Sequence, residues 1–229
     1  MGDSESTKPG LKYSPVFNFS MFMLLMYVAA KSWHVGWWGV TVCCWPLMWH
    51  LGHTMLLAFH EAVHYNLSPN LWANEIRGFN LGVAGFIPLS VYRQLHAHHH
   101  ARLSTEQDAE LWPYNQPSYS RPFRIVCAFL ELTLAYFFIP LMFLRGILVD
   151  KHLTRELRNR IILEYAGIAA IWSVILGSVF YFGWQQGFVV GYVVPAIGAA
   201  NLQALRLFIE HMGLLGNSPM TLSRTVVHE

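Results

Sequence analysis

The chain has 229 residues, of which 54% are hydrophobic and only 12% are charged, and its formal net charge is +2. A soluble domain usually carries about 25% charged residues, so this composition excludes an ordinary soluble protein and indicates a membrane protein. The small net charge gives no support for a nucleic-acid partner. The three cysteines lie in apolar runs without metal-ligand spacing, and we interpret them as reduced.

The apolar runs predict four membrane spans within a single domain that covers residues 1–229. Residues 1–15 are polar and predict a flexible cytosolic tail. The apolar stretches are long and continuous, and open sheet edges cannot lie in lipid, so helices are expected and strands are not. Residues 28–30 loosely resemble a signal-peptide cleavage site, but cleavage there would not change the side on which the histidines lie. The predicted spans are 16–31, 35–59, 161–183 and 188–208.

Residues 125–149 leave two topologies open, because this apolar run carries Glu131, Pro140 and Arg145. A true span would put the basic segment 151–160 on the opposite face from the first two histidine clusters. A segment that lies in the interface, or dips in and returns, would keep that basic segment cytosolic, as the positive-inside rule prefers. We predict the second arrangement. The predicted fold is therefore all-α, with four transmembrane helices in two hairpins, both termini cytosolic, and a cytosolic or interfacial helical cap that includes the histidine-box region 60–120.

Seven of the twelve histidines fall in three short clusters, and histidine is the commonest metal ligand. His60 and His64 are four residues apart, so on a helix their imidazoles share one face, as a shared metal ion requires. A pair of interfacial histidines without a metal is the alternative at these positions. Glu61 points elsewhere on such a helix and is a candidate for a group that orients the ligands.

The second cluster holds four histidines in five residues, His96 and His98–His100. His96, His99 and His100 have the i, i+3, i+4 spacing of one helical face, whereas His98 points away. A tag-like or metal-scavenging tract is the alternative, but neither explains the first cluster. We therefore interpret His96, His99 and His100 as metal ligands.

Two single histidines are further candidates. His211 lies at the end of the last predicted span, on the same side as the other clusters, and could be a ligand or a residue that interacts with the helix end. His53 shares a helical face with His60 and lies roughly 10 Å deeper. We predict that His53 is a polar wall of a substrate tunnel, with a neutral histidine hydrogen-bonded to a neighbouring helix as the alternative.

The first two histidine clusters resemble the first and second histidine boxes of the membrane fatty acid desaturase and hydroxylase superfamily. The resemblance covers residues of about 20 to 225. His60-x-x-x-His64 is followed about thirty residues later by His96-x-x-His99-His100. Residues 103–105 and 108–112 resemble the stretches LGT and DPEL of the family, with Ala109 replacing the usual proline. Similar residues also occur at Asn70, Asn74, Pro88, Tyr92, Arg93, Glu210, Arg224 and Thr225.

The resemblance implies a non-haem di-iron centre on the cytosolic face, held by imidazoles, with Asp108 and Glu110 as groups that orient the ligands. It implies that dioxygen is activated with electrons from a ferredoxin or cytochrome b5. A C–H bond of a membrane lipid chain is then cleaved. The family's third box, expected beyond Arg224, is not found before Glu229. We expect the chain to be a fragment that is inactive alone, and that an extension carrying this box restores iron binding.

Several functions remain compatible with the boxes. A desaturase acting on acyl chains is the first, and a hydroxylase or ketolase acting on a carotenoid or another lipid is its closest rival. A non-catalytic membrane protein is a different class. A histidine-rich metal transporter would place its ligands at mid-membrane on crossing helices, whereas these histidines cluster beyond the ends of the spans.

Overall fold

The computed structural model describes residues 15–103 and 105–211, and in that part of the chain all regular structure is helical. Helices of this length satisfy their backbone groups internally, as an apolar environment requires. Asn70, Ser120 and Thr154 accept hydrogen bonds from backbone N–H groups at the first turns of their helices. The helices are α1 (Pro15–His34), α2 (Trp38–Val63), α3 (Leu71–Ala84), α4 (Leu89–Ala101), α5 (Arg121–Val149), α6 (Arg155–Tyr181), α7 (Gln185–Phe188) and α8 (Val194–His211), with the π-helical turn Val189–Val193 joining the last two.

Four helical segments in the described range are long and apolar enough to cross a membrane: α2, α5, α6 and the continuous segment Gln185–Glu210. The prediction of an all-α fold with four such helices is therefore confirmed. Three of the four correspond to predicted spans, but α5 takes the place of the predicted span 16–31. The predicted pairing into two hairpins and the predicted cap remain predictions.

Helix α5 is bent back on itself rather than straight. Its residues Phe123 and Arg145 would lie about 33 Å apart in a straight helix. Both nevertheless contact Trp112: the Phe123 ring centroid lies 6.0 Å from the indole centroid, and the Arg145 guanidinium carbon lies 3.8 Å from it. The bend occurs at Leu134, whose φ of −130° and ψ of 31° are not helical. The length and apolarity of α5 therefore do not make it a single straight span, and both of its arms lie beside the same loop.

Asn201 of α8 holds the bend by replacing the helical hydrogen bonds that are lost there. Its Oδ1 accepts from the backbone N–H of Ala135 at 3.1 Å, and its Nδ2 donates to the carbonyl oxygen of Thr133 at 3.0 Å. Backbone groups in an apolar environment need such partners. A side chain 66 residues away therefore fixes the shape of α5.

Replacing Asn201 with leucine should destabilise the protein by about 1–3 kcal/mol, because the N–H of the buried Ala135 then loses its acceptor. Denaturant titration in detergent micelles measures the change. Ser173→Ala is the control, since the exposed Ser173 hydroxyl bonds only to Ala169 in its own helix, and its effect should stay within about 0.5 kcal/mol. Equal effects of the two substitutions would contradict the role of Asn201.

Candidate metal centre and tunnel

Two helix ends bring four imidazoles together. His60 and His64 lie at the C-terminal end of α2, and their ring centroids are 4.7 Å apart. His96 and His100 lie in the C-terminal half of α4, with centroids 4.5 Å apart. Each pair has the i, i+4 spacing that places side chains on one face of a helix. The end of α2 and the end of α4 therefore each present a pair of histidines to the other.

The four side chains converge on one point. The His96 Nε2 atom lies 3.0 Å from the Nε2 atom of His64 and 3.0 Å from that of His100. One nitrogen from each of the four rings, His60 included, lies within 4.8 Å of all the others. Neutral imidazole nitrogens that face each other bring their lone pairs together, which is favourable when a shared proton or a cation lies between them. The donor set is thus suited to a metal ion.

Carboxylates behind the rings fix their orientation. The His96 Nδ1 atom lies 3.0 Å from a Glu110 carboxylate oxygen, and the His99 Nδ1 atom lies 2.9 Å from both oxygens of Asp108. An ionised carboxylate can only accept, so each Nδ1 carries a proton and donates it to the carboxylate. Metal-binding histidines commonly have such carboxylate partners. Glu110 and Asp108, predicted as orienting groups, thus lie behind the second histidine box.

The electrostatics of the cluster favour neutral rings. Burial, together with the neighbouring His96, lowers the pKa of His64, and burial together with His96 and His99 lowers the pKa of His100 to about 4. Burial opposes ionisation of Glu110, but its hydrogen bond with His96 holds the pKa of its carboxyl below the usual range. Neutral imidazoles and ionised carboxylates are the forms in which these side chains bind or support a metal.

His99 faces another way than its predicted co-ligands. Burial would lower its pKa, but its hydrogen bond with Asp108 and the nearby Glu110 charge raise it. Its ring stacks on His96 with centroids 5.6 Å apart, and it is not one of the four residues whose nitrogens converge. The ligand role of His99 therefore stays a prediction.

The other candidates occupy different positions. His98 points away from the cluster, as expected, and its Nδ1 atom lies 3.9 Å from Asp150. Glu61 lies 3.7 Å from the Nδ1 atom of His60. The backbone of His211 ends α8, but its side chain lies outside the described part of the structure, so its role also stays a prediction.

Arg93 ties the two histidine-bearing helices together. Its guanidinium donates to the carbonyl oxygens of Ala62 and Val63 at the end of α2, between the two histidines of the first box. It also donates to Glu75 of α3, which accepts from Arg160 of α6 as well. From the sequence, Arg93 is notable only because it resembles a residue of the family, since the partners of its side chain are distant in the chain. The network fixes α4 relative to α2.

Glu164 of α6 caps the other end of α4. Its carboxylate oxygens accept from the backbone N–H and the hydroxyl of Ser90, at 2.9 Å and 2.6 Å. A negative charge at a helix N-terminus is stabilising. Because α4 is held at both ends, its last turn presents the second box in a defined position.

A long apolar cavity ends at the histidine cluster. Tyr92 and Glu110 line it at that end, and the Tyr92 ring packs against His96 and His60 with centroids 5.3 Å and 6.3 Å apart. Along α8 and the π-helical turn before it, the lining runs from Leu207 back to Tyr192, which is about 22 Å of helix. We call this cavity the tunnel. It is therefore an elongated, mainly apolar space with the candidate metal centre at one end.

His53 does not line the tunnel, although Gly52 and Leu56 of the same helix do. Its Nε2 atom is buried and has no hydrogen-bond partner among the described residues. Gln203 and Arg206 of α8 lie beside it. The prediction that His53 forms part of a substrate tunnel is untested by this arrangement and stays a prediction.

Replacing Glu110 with glutamine should weaken metal binding between about tenfold and a hundredfold, the usual effect of losing a carboxylate behind a ligating histidine. Glutamine preserves the shape of the tunnel wall but removes the charge that polarises His96. Iron titration of the purified apoprotein measures the affinity. Glu106→Gln, an exposed change in the same loop, should leave the affinity unchanged, and equal effects would argue against this role of Glu110.

Comparison with known proteins supports the same interpretation of the histidine boxes. The model of the family described as fatty acid desaturase matches residues 31–228, which is most of the chain. A comparison with curated proteins gives no significant match. The matched range includes both histidine boxes, the Arg93 network and every residue that lines the tunnel except Phe22. The chain therefore belongs to the fatty acid desaturase family.

Proposed function

We propose that this protein is a non-haem di-iron oxidoreductase that uses dioxygen to desaturate a lipid acyl chain. The observation that carries the proposal is the convergence of four imidazoles at one end of a long apolar tunnel. Membership of the fatty acid desaturase family supports an oxidoreductase acting on such a chain. The tunnel and the cluster together supply a place for the chain and a place for the oxidising metal.

His60, His64, His96 and His100 would hold iron, for which imidazole is a suitable ligand. His99 and His211 are the further ligands that two iron ions would require. Bound iron supplies the dioxygen-dependent oxidation that an unactivated C–H bond needs and that no amino-acid side chain provides. The chain's own residues orient the ligands: Glu110 keeps the Nε2 lone pair of His96 directed to the cluster.

The tunnel binds the substrate by burying its methylene groups, each worth about 0.8 kcal/mol. Its apolar wall excludes water from the bound chain and leads that chain to the end lined by Tyr92 and Glu110. Tyr92 lies against His60 and His96, so a chain that reaches this ring is next to the cluster. The wall therefore selects which carbon atoms approach the metal.

The protein is an integral membrane protein, and we propose that the histidine boxes and both termini face the cytosol. Gln94, two residues before the second box, donates to Asp150 at 3.0 Å. This contact supports a position of the basic segment 151–160 on the same side as the boxes, and basic segments favour the cytosolic side. A soluble electron donor such as a ferredoxin, or a cytochrome b5, would then reach the metal from that side.

The test is metal and product analysis of the protein expressed from its complete reading frame and purified in detergent. We expect two irons per chain and, with dioxygen and a reducing system, a product two mass units lighter than the acyl substrate. A product heavier by one oxygen atom would identify a hydroxylase instead. Absence of iron, or product formation without dioxygen, would refute the proposal.

A further inference from the structure

Glu131 is a buried acidic residue in the tunnel wall that the metal cluster does not use. It is only 5% exposed, and it belongs to the arm of α5 that precedes the bend. Its hydrogen-bond partner is Tyr114 rather than a histidine. An acidic group in an apolar wall is unfavourable unless it is hydrogen-bonded, so its partners indicate what the wall is built to bind.

Only one of the two carboxyl oxygens of Glu131 is occupied. The Tyr114 hydroxyl donates to Oε2 at 2.7 Å, and the Tyr114 ring is itself held by Phe208, with centroids 5.2 Å apart. Within the described residues Oε1 has no hydrogen-bond partner, and Glu131 is one of the residues that line the tunnel. The fixed carboxyl thus presents one free acceptor to whatever occupies the tunnel.

A second polar group supports a tunnel built for more than plain hydrocarbon. The indole N–H of Trp112 is buried and has no acceptor among the described residues, and Trp112 also lines the tunnel. The face of the ring is fixed by Arg145. Buried donors without partners are rare, so this side of the tunnel wall carries a second polar atom whose partner no described residue supplies.

We propose that Glu131 and Tyr114 form a recognition site for a hydroxyl group on the lipid chain, so that the preferred substrate is a hydroxylated lipid. The inference rests on the proposed function of the tunnel. A hydroxyl can donate to Oε1 of Glu131. It also enters an apolar tunnel at far lower cost than an ammonium or guanidinium group, the other donors that would suit a carboxylate. The position of the hydroxyl along the chain then fixes the carbons that reach the histidine cluster.

The test is equilibrium binding of stearate and of a panel of positional isomers of monohydroxystearate to the purified protein in detergent. A hydrogen bond to the buried carboxyl predicts that at least one isomer binds about tenfold more tightly than stearate. That preference should fall at least about threefold in Glu131→Gln and vanish in Glu131→Leu. Stearate should still bind to both variants, which shows that the tunnel is intact.

Glu156→Gln is the matched control, because Glu156 is exposed at the start of α6 and does not line the tunnel. It should keep the full preference. If stearate binds but no isomer binds more tightly, or if the preference survives in Glu131→Leu, the hydroxyl site is refuted and the tunnel proposal stands. If neither stearate nor any isomer binds the wild-type protein, the proposed function itself fails.

Discussion

Replacing His96 with alanine is expected to abolish metal retention and any metal-dependent turnover. His96 is the central member of the cluster, since its Nε2 atom lies 3.0 Å from those of both His64 and His100. It is also the ring held by Glu110. Loss of an orienting carboxylate alone costs up to about a hundredfold in affinity, so loss of the ligand itself should exceed that.

His98→Ala is the control for this prediction. His98 lies on the same helical turn, but its side chain faces Asp150 and Gln94 instead of the cluster. Iron per chain after purification, together with thermal stability in detergent, separates loss of metal from loss of fold. Equal iron content in the His96 and His98 variants would refute the assignment of the centre to the four convergent histidines.

The two histidine boxes show how much of the metal centre can be predicted from the sequence. The i, i+4 pairs His60–His64 and His96–His100 converge as helical spacing requires. The same spacing predicts that His99, at i+3, is a further ligand, but its side chain turns to Asp108. Helical spacing alone cannot distinguish these outcomes, because residues at i+3 and i+4 differ by one position around the helix. The loop that carries Asp108 decides between them.

The shape of α5 depended on contacts that the local sequence does not contain. Its apolar run with Glu131, Pro140 and Arg145 allowed either a span or a segment that dips and returns. The bend is at Leu134, not at Pro140, and its broken backbone bonds are completed by Asn201 from α8. Arg93 is a similar case, because its partner Glu75 belongs to another helix and also binds Arg160.

These distant contacts serve the candidate site as well as the fold. The bend in α5 places both of its arms beside the loop that contains Trp112, and the same helix supplies Glu131 and Tyr136 to the tunnel wall. Arg93 fixes the helix that carries the second box to the end of the helix that carries the first. The same few polar residues therefore fix the position of the tunnel relative to the metal centre.

Phenylalanine at two levels of the tunnel is expected to give two different substrate profiles. Ala204 and Ala196 both line the tunnel and lie about 12 Å apart along α8, with Ala204 closer to the histidine cluster. Ala204→Phe should block the tunnel near the cluster and weaken binding of all acyl chains. Ala196→Phe should leave the part of the tunnel between residue 196 and the histidine cluster open. Short chains should therefore still bind, while long chains lose the room for their last methylenes.

The expected size follows from the apolar area that is lost. Each methylene excluded from the tunnel costs about 0.8 kcal/mol, or about fourfold in affinity. A chain that loses two or three methylenes in Ala196→Phe should therefore bind between roughly tenfold and a hundredfold more weakly. Equilibrium binding of saturated fatty acids of increasing length to the purified variants measures the profile, and product analysis shows whether the preferred length shifts in parallel.

Leu205→Phe is the matched control, since Leu205 is exposed on the outer face of the same helix and does not line the tunnel. It should reproduce the wild-type profile. The two tunnel variants carry the same added volume, so overpacking of α8 alone predicts similar losses for chains of every length in both. A tunnel that ends at the histidine cluster requires a length-dependent loss in Ala196→Phe alone. In such a tunnel, the distance of the obstruction from the cluster determines which chains still reach the metal.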